Sequence, residues 1–413
     1  MKDLSLYIHI PFCVQKCLYC DFLSFPVPSS PEREKNLCYV NHISETKRET
    51  IESYVNLLCR EITDTAAQYK EYQSLSIFFG GGTPSILPVG EVSRIADTIR
   101  KCYRISENAE ITTEMNPDTV SEDKLREYIT SGINRLSIGL QSADDADLER
   151  IGRIHDYRTF TRAYETARRI GFKNINIDLM AALPEQSVSS YEWTLRQVTN
   201  LAPEHISAYS LTLEEGTPLY ELRGRYRFPT EEEDREMYAL TGEYLASCGY
   251  HRYEISNYAL DGYECRHNKV YWHRGNYVGF GLGASSMVEN VRWTNPTDME
   301  KYRDYVERLC ENQNASDRNN VCGHTAETLA EGRQILTRRE QMEEYMFLGL
   351  RMICGVNMQE FEDIFGIRMQ TVYGGTIGKL REQGLLTQDR NRIMLTPKGI
   401  DVSNYVLAQF LFD

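Results

Sequence analysis

Leu4–Phe25, LSLYIHIPFCVQKCLYCDFLSF, is the stretch on which the reading of the whole chain turns. An apolar run carrying β-branched residues leads directly into Cys13, Cys17 and Cys20, so a strand delivers three thiols to a short loop at its C-terminal end. Three is the informative number. A closed 4Fe-4S site uses four cysteine ligands, and a cluster held by three leaves one iron open to a further ligand. Two other readings stand beside this one: a zinc site completed by His9, or buried thiols with no ligand at all. Zinc sites usually pair two C-x2-C knuckles, or one such knuckle with two histidines, and neither pattern occurs near here. The cluster is the preferred reading, with His9 as a structural histidine.

The chain has 413 residues, 41% hydrophobic and 26% charged, a globular composition sufficient for two or three domains. A formal net charge of -14 repels nucleic-acid backbones and anionic membrane surfaces on average. Beyond the N-terminal trio the cysteines are scattered singly, at 38, 59, 102, 248, 265, 310, 322 and 354. With an odd total of 11 they fit free thiols in a reducing compartment better than a disulfide framework. The first residues show no signal-peptide pattern, and no run approaches the ~18 apolar residues of a membrane span. A cytoplasmic protein is expected.

After a polar, proline-bearing insertion over 26–48, strands and helices alternate. Strands are expected at Leu4–Ile10, Leu75–Phe79, Ala109–Glu114, Arg135–Gly139, Asn174–Leu179 and His205–Ser210, with helical patterns between them. Six parallel strands with crossover helices imply an α/β sheet, doubly wound or barrel-like, and are too few for the usual eight-stranded barrel. From about Val291 the alternation stops. The tail reads as helices at Arg339–Cys354, Met358–Phe365 and Val372–Gln383, followed by a small hairpin at Leu385–Thr387 and Ile393–Leu395. Division into 1–290 and 291–413 follows, the second part mainly helical and winged-helix-like. Such a module by itself hints at DNA binding, but the acidic total favours packing or partner docking.

In parallel α/β folds, functional groups collect at the C-terminal ends of strands. Gly80-Gly81-Gly82-Thr83-Pro84 follows the second strand, Glu114 ends the third, Gln141 follows the fourth, Asp178 lies near the end of the fifth, and Thr212 sits just past the sixth. The glycine run is neither a P-loop nor a dinucleotide fingerprint, and consecutive glycines let a backbone approach a polar ligand closely. Arg153, in QSADDADLERIGR, could pair with a ligand carboxylate or stand as a surface charge.

Taken in order, LYIHIPFCVQKCLYCDF, FFGGGTPSIL, TTEMNPDTV, GINRLSIGLQS and NIDLMAALP resemble the oxygen-independent coproporphyrinogen III oxidases and their paralogues, within the radical S-adenosylmethionine (SAM) superfamily. The resemblance spans nearly the whole chain. It implies an incomplete (β/α)6 radical SAM barrel open at one side, a 4Fe-4S cluster held by Cys13, Cys17 and Cys20, and SAM on the open iron. It also implies SAM contacts from Tyr7, Tyr19, Gly81, Gly82, Thr83, Glu114, Gln141, Arg153, Asp178 and Thr212.

Within that family the decarboxylases carry an N-terminal extension and a further cysteine two residues after the third ligand. Here the first strand starts near Leu4 and position 22 is Phe22, departures that point to the heme-chaperone branch. The stretch Cys265–Trp272, CRHNKVYW, matches the H-N-x-x-Y-W pattern that the resemblance links to heme. A neutral imidazole is a standard axial ligand, and Tyr271 and Trp272 could cover a porphyrin face. A core aromatic cluster around a hydrogen-bonded His267 is the alternative, and Cys265 is a second candidate ligand. Heme as cargo, apo-hemoprotein acceptors, and an electron donor if SAM is cleaved are the implied partners. The enzymatic alternative is radical decarboxylation of coproporphyrinogen III.

Overall fold

The computed structural model describes residues 1–27, 45–316 and 326–412. Most of the insertion expected over 26–48, with Cys38, and Cys322 farther on, lies outside the described residues. All six expected strands are present: β1 (Lys2–Ile10), β2 (Tyr72–Gly81), β3 (Ile105–Met115), β4 (Arg135–Gln141), β5 (Ile175–Ala181) and β6 (His205–Ser210). Each lies parallel to the next in chain order. A further strand, β7 (Tyr277–Phe280), runs parallel to β1 on its other side and pairs Gly279 with Tyr7. Four residues, one of them Gly279 and the next in the chain Gly281, are too few for periodicity to reveal them.

Antiparallel strands extend both edges. Beyond β7 lie β8 (Ser285–Val288), β9 (Val291–Thr294) and β10 (Glu331–Ile335), and beyond β6 lie Asn257–Ala259 and His251–Arg252. The two edges are not joined to one another, so the parallel strands curve into a barrel that stays open. The sheet therefore runs past the 290/291 division expected from sequence, because that position is the turn of the β8–β9 hairpin.

Alternation along the strands separates two buried faces. Leu4, Leu6, Ile8 and Ile10 of β1, Leu136, Ile138 and Leu140 of β4, and Ile175, Ile177 and Leu179 of β5 share one apolar cluster with the outer helices. Helix Glu91–Cys102 contributes Val92, Ile95, Ala96 and Ile99, the stripe a 3.6-residue period demands. The intervening residues face inward and are largely polar: Ser5, Tyr7 and His9 on β1, Arg135 and Ser137 on β4, Asn176 and Asp178 on β5, His205 and Ser207 on β6. Cross-strand hydrogen bonds satisfy many of them, including Ser5 to Ser76 at 2.8 Å, Asn176 Nδ2 to Ser137 Oγ at 2.7 Å and Ser207 Oγ to Asn176 Oδ1 at 3.1 Å.

The C-terminal module has its own core, with Met346, Leu350, Phe361, Tyr373, Ile393 and Phe410 fully or nearly fully buried. Helices Arg338–Gly349, Met358–Phe365 and Met369–Glu382 pack with a sheet in which Arg392–Leu395 lies between Val356–Asn357 and Leu386–Asp389, a winged-helix-like arrangement. Its first helix ends five residues earlier than expected. The chain turns at Gly355, whose φ is +63° and whose added Cβ would lie 2.0 Å from Ile393 O. Glu344 ties this module to the barrel, accepting from Arg274 Nε at 3.1 Å and pairing with Arg292 at 2.9 Å. No described helix is long and apolar enough to cross a membrane.

Candidate functional site

The cysteine loop leaves β1 at Ile10 and is pinned along its length. Phe12–Cys13 pairs in parallel with Phe25–Pro26, and the Phe25 and Val27 amides donate to Pro11 O and Cys13 O at 2.7 and 2.8 Å. At its middle the Leu18 amide donates to Ile151 O at 3.0 Å, and Leu18 O accepts from the Leu219 amide at 2.8 Å. Cys13 is buried, and Cys17 and Cys20 are half-buried. Thr83 Oγ1 donates to Cys13 Sγ and Arg153 Nη1 to Cys17 Sγ, both at 3.5 Å.

Among the described residues no group of three or more His, Cys, Asp or Glu side chains is drawn together tightly enough to hold a metal ion. The fit to an iron-sulfur cluster therefore rests on the donor set rather than on a closed cage: three thiols on one loop, with hydrogen bonds aimed at two of the sulfurs. His9 is engaged elsewhere, Nδ1 with Tyr7 OH at 3.0 Å and Nε2 with Leu23 O at 2.9 Å, in the structural role expected of it.

At the same end of the barrel the rim residues meet in two groups. In the first, the Gly81 amide donates to Glu114 Oε2 at 3.2 Å. Burial, reinforced by the charge of nearby Asp178, pushes the Glu114 carboxyl up to about 8. Asp178 accepts from Ser137 Oγ at 3.0 Å and from Asn176 Nδ2 at 2.8 Å, yet burial still raises it. The glycine run is as much a packing device as an approach for ligand. A Cβ on Gly81, where φ is +109°, would lie 2.5 Å from the His9 ring, and one on Gly82 would lie 2.6 Å from Phe12 O.

In the second group, Arg153 Nη2 donates to Gly139 O at 2.7 Å and to Asn116 Oδ1 at 3.1 Å. Gln141 Nε2 stands over the same Gly139, close enough that a Cβ there would be 3.0 Å away, and Gln141 itself adopts φ +75°. Tyr19 packs with Ile151, Met180, Leu183 and Leu211, and Thr212 is exposed on the loop after β6. Asn116 is a member of this group that sequence reasoning missed; its place two residues after Glu114 in T-T-E-M-N-P was the available signal.

His267 occupies the opposite end. Helix Arg266–Trp272 closes the barrel there, held by Glu110, which accepts from the Arg266 amide at 3.0 Å and the His267 amide at 3.1 Å. The imidazole is 1% exposed. Nδ1 is bonded to Ser76 Oγ and Nε2 to Tyr271 OH, each at 2.9 Å, and the ring stacks 5.1 Å from Phe78. Burial holds its pKa down to about 3. In this arrangement neither nitrogen is free, so ligation of iron requires one of these two bonds to break. Tyr7, by contrast with the rim contacts, belongs to the aromatic group around His267 as well as to His9. Cys265 is fully buried, donates to Glu110 Oε1 at 3.5 Å, and is pushed up to about 12 by burial, so it is a thiol. Trp272 lies on the outer side, under the Arg351 guanidinium of the C-terminal module at 4.4 Å.

Residues 7–198 match the Radical SAM superfamily and residues 336–402 the HemN C-terminal domain. The chain is 34% identical to heme chaperone HemW of Bacillus subtilis (strain 168), covering 98% of this chain and 99% of that protein. It is 38% identical to heme chaperone HemW of Escherichia coli (strain K12), over 70% of this chain and 71% of that one. Among solved structures it resembles coproporphyrinogen III oxidase (HemN) from Escherichia coli, a radical SAM enzyme, with a TM-score of 0.78 and 22% identity over 99% of this chain and 90% of that chain. That last likeness speaks to the fold. With the two family matches and the full-length relatives in agreement, the chain belongs to the HemW heme chaperone family of the Radical SAM superfamily.

Proposed function

We propose that this protein binds heme and hands it to apo-hemoproteins, and that it carries a 4Fe-4S cluster with SAM on the open iron. The observation that carries the first part is the 34% identity to a heme chaperone over 98% of this chain and 99% of that one. Phe22, in the position where the decarboxylases of the wider family have a cysteine, supports the same branch. In this reading Cys13, Cys17 and Cys20 hold the cluster. Gly81, Gly82 and Thr83, with Glu114, Gln141, Arg153, Asp178 and Thr212, hold SAM at the rim, and Tyr7 and Tyr19 flank it. When bound, the cluster supplies an electron that can cleave SAM, which would call for an external electron donor.

The protein's own groups account for orientation. Glu114 offers a carboxyl to a ligand ammonium, and Arg153 offers a guanidinium to a ligand carboxylate while keeping its bond to Cys17. His267 is the axial ligand in this reading, once its bond to Ser76 or Tyr271 is exchanged for iron. The test is transfer: heme-loaded protein is mixed with an apo-hemoprotein and the acceptor spectrum followed. Transfer whose rate rises with acceptor concentration is expected. A rate fixed by spontaneous heme release, whatever the acceptor concentration, would remove the chaperone role. Coproporphyrinogen III oxidation, the enzymatic alternative, is checked by an anaerobic turnover assay on the same sample and is expected to be absent.

A further inference from the structure

Arg135, the first residue of β4, points into the barrel and is 2% exposed. A guanidinium so placed costs several kcal/mol unless its donors are paired. Here its Nε has no hydrogen-bond partner, and among the described residues no carboxylate oxygen lies within 4.0 Å of it. The two acids nearest in effect are already engaged. Glu110 takes the Arg266 and His267 amides, and Asp178 takes Asn176 and Ser137. A purely structural arginine would close its planar fork on one of them.

It pairs with Thr112 of β3, two residues from the Glu110 that holds the amides of helix Arg266–Trp272, and so stands at the end of the barrel that this helix closes. Glu110 and Asp178 are the acids whose charge acts on it, and its own charge adds to burial in keeping the His267 imidazole neutral. A buried cation with no carboxylate partner thus faces the barrel interior, across from the unpartnered Thr112 hydroxyl, at the end where the His267 helix packs.

We propose that Arg135 is the receptor for a carboxylate of a ligand lying in the barrel, namely a heme propionate. The assignment rests on the heme reading given above and extends it from the iron to the porphyrin edge. A guanidinium fork meets a carboxylate through two parallel charge-assisted hydrogen bonds, which an ester cannot reproduce.

The experiment compares binding of hemin and of hemin dimethyl ester, in which both propionates are blocked, to the full chain and to R135K, R135Q and H267A. The unsubstituted protein is expected to bind hemin at least about tenfold more tightly than the ester, the effect of roughly one charge-assisted pair. R135Q brings the two affinities within about twofold of each other, and R135K, which keeps charge but not the fork, falls between. H267A alters the Soret position while keeping the preference for the free acid. Equal affinity of the unsubstituted protein for acid and ester overturns the proposal, as does an undiminished preference in a folded R135Q. Should R135Q fail to fold, the ester comparison and R135K still decide. Hemin binding without acid preference removes the Arg135 assignment alone, whereas no saturable hemin binding removes the heme reading with it.

Discussion

Arg153 Nη1 donates to Cys17 Sγ at 3.5 Å, joining the cysteine loop to a residue 136 positions later in the chain. The same guanidinium is anchored through Nη2 to Gly139 O and Asn116 Oδ1, so one side chain ties the loop to β4 and to the end of β3. Arg153→Lys keeps the charge and forfeits the fork. The reconstituted variant is expected to bind SAM at least about tenfold more weakly, with iron content little changed, as isothermal titration and iron analysis would show. Undiminished affinity would assign Arg153 to loop packing alone.

Glu114 gives a pH signature. Its carboxyl, pushed up to about 8 against an ordinary value of 4.5, holds its proton at pH 7 in the ligand-free protein. The folded state therefore binds this proton more tightly than the unfolded chain. The contribution to stability is fully present below about pH 4.5 and is lost as pH rises through 8. A ligand ammonium placed against Glu114 favours its ionised form, so SAM binding should release a proton, and affinity should rise by up to about tenfold per pH unit between pH 6 and 8. Titrations in buffers of different ionisation enthalpy detect that proton, and Glu114→Gln should abolish its release.

The alternation that built the barrel was plain in the sequence, and so was the gathering of Gly81, Glu114, Gln141 and Asp178 at strand ends. Other features were hidden for physical reasons. β7 is only Tyr277–Phe280, and its role as a parallel neighbour of β1 is fixed by pairing 272 residues away in sequence, not by local pattern. Arg135 read as the polar start of a strand, because periodicity assigns faces but does not say that both faces are buried. The H-N-x-x-Y-W stretch was visible as chemistry, whereas the enclosure of His267 by Ser76, Phe78 and Tyr271 depends on contacts that only the closed barrel creates.

Gly81 offers a test of the rim's packing. Alanine there would carry a methyl 2.5 Å from the His9 ring at a φ of +109°, so the variant should lose about 1–3 kcal/mol in denaturant unfolding and bind SAM more weakly. Gly90, with φ +99° but nothing within 4 Å of an added Cβ, is the matched control, with backbone strain only.

Glu344 should govern docking of the C-terminal module. Replacing it with alanine strands Arg274, which is 8% exposed, without its carboxylate and weakens the hold on Arg292. A loss of about 3 kcal/mol is expected, together with earlier proteolytic cleavage between β10 and helix Arg338–Gly349. Unchanged stability and cleavage would show that the apolar contacts alone hold the module.

Oxygen-free reconstitution with iron and sulfide, followed by heme titration of the same sample, tests the central claim most directly. The account predicts about four iron and four sulfide per chain, a loss of that iron when Cys13, Cys17 and Cys20 are replaced, and a Soret shift that saturates with heme. A protein that stays colourless after reconstitution, or that shows no saturable Soret change, would contradict it.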